Sequence, residues 1–240
     1  MRRTPLQVPA MLTLGLIVLS GCTSNGDPDP VATDGPSTTA SADTTGTAST
    51  GRPTGSPSLG TADTIPASAL LQPEDLNGVR LEPVPEGDSA HLRPLRPCEA
   101  RYPSDTTRTA AVAMRAYVSP GAGQTPQVIL QYVGLHPGQA ETAFDEISDA
   151  VRGCPGSLKA GQHRWEVAGT GVAGDESLLV RISERVTYGD TSVVTTPAVV
   201  ARVGDHVTVV ADLGWENSDG DESDVRRLAT KAVERLRAQG

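Results

Sequence analysis

Four histidines, an acidic run and a glycine motif are the places in this 240-residue chain where residue type and spacing could do chemistry. His91, His136, His163 and His206 are dispersed, with no H-E-x-x-H and no neighbouring cysteine or paired acid to make a cluster. No G-x-S-x-G elbow and no S-x-x-K motif occurs. A Ser-His-Asp site assembled in space would leave no such local mark. Gly169-Thr-Gly171-Val-Ala-Gly174 matches G-x-G-x-x-G. A dinucleotide site needs that turn to open a helix. Here the following residues alternate like a strand, so the glycines read as a loop between strands and no cofactor is expected. Asn217 to Asp224 bunches oxygens as a hard cation requires. Its spacing is not that of an EF-hand loop, and the run reads as acids feeding a helix N-terminus. No metal is expected.

The cysteines carry a different chemistry. Leu19-Ser20-Gly21-Cys22 follows a positive start, Arg2 and Arg3, and an apolar run from Met11 to Leu19. That is the layout of a secretory signal, and small residues before cysteine resemble the bacterial lipoprotein box. The resemblance implies that residues 1–21 are removed, that Cys22 carries a diacylglycerol, and that the protein hangs from the outer face of the cell membrane. An oxidising compartment follows, and it leaves Cys98 and Cys154 as an even pair expected to form a disulfide.

The formal net charge is −9, and removing residues 1–21 takes away two arginines and no acid. An acidic surface argues against nucleic acid, whose binding rests on basic patches. It also leaves membrane attachment to the lipid chains. No second apolar run reaches the roughly 18 residues that span a bilayer. Residues 23–65 are almost all Thr, Ser, Gly, Pro, Ala and Asp. Such a stretch buries too little to offset its chain entropy. The segment 22–65 is therefore expected to be a disordered stalk averaging roughly 35 Å end to end, and 66–240 a single globular domain.

Its elements are legible in outline. Leu70-Leu71 and Gln72-Pro-Glu-Asp-Leu76 make a short helical turn closed by Asn77-Gly78. The proline-rich stretch 79–108 reads as irregular. Strands are expected over 111–118 and 127–133. A helix follows, with Ala140, Phe144, Ile147 and Val151 on one stripe and Gly153 at its end. Residues 164–168 make a short strand. Leu178, Val180, Ile182 and Val186 alternate through a longer one, interrupted by Glu184 at the fourth inward place. Val199–Val203 and His206–Ala211 flank the turn Gly204-Asp205. A closing helix presents Val225, Leu228, Ala229, Ala232 and Leu236. The pattern predicts α+β, an antiparallel sheet covered by two main helices on one face.

Aromatic residues are only 3% of the chain, so Trp165 and Trp215 are either core anchors or the walls of a pocket. For a ligand cleft the candidates are Trp215, Tyr132 and Trp165, with Arg181 and Arg202 as polar contacts.

The layout resembles the extracellular sensor-like domain of mycobacterial receptor kinases and its stand-alone lipoprotein relatives. The points of contact are Leu70 to Leu76, the helix ending at Cys154-Pro155, Val172-Ala-Gly-Asp-Glu176 leading into a strand, the hairpin at Gly204 and the closing helix. The resemblance implies a two-layer domain whose cleft, between sheet and helices, binds or senses a small molecule outside the cell. The kinase domains carry two disulfides where this chain can make one. The sequence holds no kinase domain, so signalling would need a partner. The expected function is that of a lipid-anchored, non-catalytic ligand-binding or sensor-like module, its ligand a small molecule or an envelope protein. A cell-envelope hydrolase and a structural envelope component stay open beside it.

Overall fold

The computed structural model describes residues 64–119, 121, 125–188 and 190–239. The expected leader, Cys22 and nearly all of the stalk lie outside the described residues. Ile65, assigned to the stalk, already packs against the core.

The strands are β1 (Glu82–Pro83), β2 (Ala110–Val118), β3 (Gln127–Leu135), β4 (His163–Thr170), β5 (Glu176–Tyr188), β6 (Asp190–Val203) and β7 (His206–Asp212). They form one sheet in the order β1-β2-β3-β7-β6-β5-β4, every pair antiparallel. The chain leaves β3 through helix α1 (Ala140–Gly153), starts again at the far edge with β4, and meanders back until β7 docks on β3. Helix α2 (Glu222–Arg237) closes the fold. No helix among the described residues is long and apolar enough to cross a membrane. The fold is α+β, an antiparallel sheet with two main helices.

The helices lie on opposite faces, so the domain has three layers rather than the two expected. α2 sets Val225, Leu228, Ala229, Ala232 and Leu236 against Ile129, Val133, Leu179, Val199 and Val210. α1 sets Ala143, Phe144, Ile147 and Val151 with Leu178, Val180, Val200 and Val209. Successive residues of one strand point to opposite faces, and Leu178-Leu179-Val180, Val199-Val200-Ala201 and Val209-Val210-Ala211 are all buried. These runs belong to strands covered on both sides. Pro197 stands one place beyond the end of the β6–β7 pairing, where β6 has become an edge on that side.

Helix α2 is finished by local chemistry. The Asp221 carboxylate accepts from the backbone N–H of Ser223 (2.7 Å) and Asp224 (3.1 Å), capping α2. Part of the acidic run is thus spent on the cap. The α2 face is completed by the turns at 67–69 and 73–75, which contribute Ala69, Leu70, Leu71 and Leu76. The α1 face is completed by the irregular segment 84–109, which contributes Leu92, Leu95 and Tyr102.

Candidate functional site

The start of β4 carries His163 and Trp165, two residues apart and therefore on one face of the sheet. Their direct partners on β5 are Glu184 and Ile182. His163 Nε2 lies 3.5 Å from Glu184 Oε2. From the segment between β1 and β2, His91 lays its ring on His163, with centroids 4.3 Å apart and planes at 24°. Trp165 meets both imidazoles edge-on at 6.3 Å. Buried Leu92 and Leu95 fix the backbone that delivers His91.

These rings border a cleft of about 820 Å³, within the size range of small-molecule sites. Its other wall runs from Arg96 to Asp105, and its rim is the loop from Gly156 to Gln162. Arg96 is held in place. It donates to both oxygens of Asp105 (2.8 and 2.9 Å) and to the Ala100 carbonyl (3.0 Å), and it lies over the Tyr102 ring at 5.1 Å. Arg108 donates to the same carboxylate at 2.7 Å. The Cys98–Cys154 disulfide is present, with Cα atoms 6.2 Å apart, and ties this wall to the end of α1. Cys98 takes the left-handed backbone (φ 51°) and lines the cleft.

The electrostatics favour a neutral His91 and charged Glu184 and Asp105. Burial, and next to it the charge of His163, holds His91 down to about 4, against a smaller opposing pull from Glu184. The hydrogen bond from His163 holds the Glu184 carboxyl below its usual range, outweighing burial. Burial raises Asp105, but Arg96 and Arg108 more than reverse that and leave it low. Burial pushes the Tyr102 phenol well up. The Ser157 hydroxyl is engaged with Gln162, and among the described residues no hydrogen bond joins a serine of the cleft to either imidazole.

Comparison with known proteins finds no matching family model and no matching curated protein. Among solved structures, the chain is similar to the extracellular domain of PknH from Mycobacterium tuberculosis. That match has 15% sequence identity and a TM-score of 0.46, and covers 71% of this chain and 94% of that one.

Of the five residues expected to line a cleft, Trp165 borders this one and the other four do not. It is 5% exposed, both core anchor and cleft wall. Tyr132 is buried beneath the α1 layer, with its hydroxyl beside Gly134, His136 and Arg108. Any Cβ at Gly134 would stand 2.7 Å from that hydroxyl, which is why β3 has glycine there. Trp215 is 36% exposed, edge-on to Tyr117 at 6.4 Å beyond the end of β7. Arg181 pairs with Glu222 at the start of α2 (2.8 Å), on the other face of the sheet. Arg202 pairs with Asp175 and Glu176 beside the β4–β5 loop. Strand parity and topology scatter these four.

His91, His163 and Arg96, which line the cleft, and Glu184, which lies against His163, are not among the expected residues. One signal existed: a carboxylate at an inward place of β5, with His163 opposite it in the antiparallel register. Nothing local in the sequence marks His91 as the third member.

Proposed function

We propose that this chain is an exported lipoprotein anchored through Cys22, and that its domain captures a small molecule on the extracytoplasmic side without catalysing its conversion. The cleft bordered by His91, His163, Trp165 and Arg96 carries the reading. It combines an aromatic corner with fixed polar groups, as ligand sites do, and among the described residues no serine of it is hydrogen-bonded to a histidine. The signal residues and the sensor-like layout of the sequence support the location.

Native mass spectrometry of the full chain purified from its host membrane tests both halves. The expected result is a lipid-modified N-terminus at Cys22 and a bound small molecule that His163→Gln and Arg96→Gln lose while remaining folded. Retention of that molecule in both variants would move binding out of this cleft. Partition of Cys22→Ser into the membrane fraction unchanged would overturn the anchor. Labelling by a serine-reactive fluorophosphonate would favour a hydrolase instead.

A further inference from the structure

The two walls of the cleft are joined at two points of different chemistry. One is the Cys98–Cys154 disulfide, a covalent link that ordinary acid leaves intact. The other is the His91–His163 stack, which bridges the irregular segment and the start of β4. Stacked imidazoles tolerate one proton between them. With two, like charges stand 4.3 Å apart in a partly buried place and repel strongly.

The surrounding groups decide how many protons the stack can hold. From β4 the facing group is His163 itself, and from β5 it is Glu184, 3.5 Å from His163 Nε2. The opposite wall brings Arg96, Glu99, Arg101 and Asp105 to the same cleft. Asp105 is already claimed by Arg96 and Arg108. The loop of the rim adds Ser157 and Gln162, which do not titrate. Glu184 thus balances one imidazolium beside it and has nothing left for a second.

Resting on the cleft reading above, we propose that the His91–His163 stack is an acid-operated latch. When both rings are charged, His91 swings off His163, the cleft widens, and its occupant is released. The linkage has the right sign. In place, His91 is held to about 4; swung into water, it returns toward the ordinary value near 6.5. A proton on His91 therefore favours the open arrangement by up to about 300-fold, enough to invert a closed state of ordinary preference.

The test needs no ligand. Trp215→Phe leaves Trp165, which borders both rings, as the single tryptophan of the full chain. In that background, Trp165 emission and the histidine ring-proton resonances are followed from neutral pH to about 4, with far-ultraviolet circular dichroism alongside. The expected result is a reversible change at Trp165 at constant secondary structure, absent in His91→Gln. Removing the neighbouring charge in His163→Gln should raise the His91 midpoint, and Glu184→Gln should lower it, since these two groups act on it with opposite signs. Titration of His91 at its ordinary value with Trp165 unmoved would overturn the latch. So would a Trp165 change that persists in His91→Gln or coincides with unfolding. If His91→Gln fails to fold, the opposed shifts in the other two variants decide. A pH transition in a cleft that binds nothing leaves the latch standing and ends the capture reading; a bound molecule with a flat pH profile does the reverse.

Discussion

On one face of the sheet, α2 and the turns before β1 close a core whose buried apolar members are alanine, valine, leucine and isoleucine, with Gln131 buried beside them and accepting from the Leu71 N–H at 2.8 Å. On the other, α1 shares the work with an irregular segment, and every buried aromatic of the two cores is there: Tyr102, Tyr132, Phe144 and Trp165. A long helix presents an apolar stripe at fixed period, so small aliphatic side chains interlock without gaps. A proline-rich segment has no period to offer. It sends Tyr102 into the core, is held by a disulfide, and leaves a cleft where the fit fails. The buried aromatics thus sit on the face whose lid is only partly helical.

That contrast can be broken from either side. The largest effect should come from the covalent staple. Replacing Cys98 and Cys154 by alanine frees a link between positions 56 apart and should cost about 4 kcal/mol. Hydrogen exchange should rise first in 84–109 and 154–163 and last in α2; uniform loss of protection would erase the distinction between the faces. Next comes Leu228→Ala, fully buried under α2, at about 3 kcal/mol by denaturant melts, with the cleft histidines titrating as before.

On the α1 face, acid acts through His91. His91 is held to about 4 in the folded chain and rises to about 6.5 when unfolded. The unfolded state therefore takes up the proton first. Stability is unaffected by His91 above about pH 6.5 and falls as the pH drops toward 4, by about 2 kcal/mol once partial exposure is allowed for. His91→Gln should remove that contribution, while His136 and His206, also held low by burial, keep theirs; any outward swing of the His91 ring should shrink it. Asp221→Ala removes the α2 cap and should cost about 1 kcal/mol in a thermal melt. The smallest effect is Trp215→Ala, which loses one exposed edge-on contact with Tyr117 and should cost about 0.5 kcal/mol.

The regular parts of the fold were legible because period and caps are local: α2 from its stripe and acids, the β6–β7 hairpin from its Gly204-Asp205 turn, α1 up to Cys154. What was misjudged is which layer each helix joins. The signal stands in Leu178-Leu179-Val180 and its counterparts, whose burial on both faces demands cover on both. The cleft was half-legible. Trp165 stood out by rarity and Glu184 by polarity at an inward place, but His91 reaches them from a segment with no periodicity. Tyr132, Trp215, Arg181 and Arg202 carry suitable chemistry and are parted by strand parity and sheet order, which single residues do not announce.

Ser68 Oγ donates to Gln239 Oε1, although 171 positions separate them, and Arg235 reaches back to Glu74 and Asp75. Entry to the folded region and exit from its last helix thus share one corner, on the face away from the cleft. The order of the chain is therefore negotiable where its architecture is not. A short bridge from 239 to 64, with a new opening between the ends of β2 and β3, would give a circular permutant in which every cleft residue keeps its neighbours.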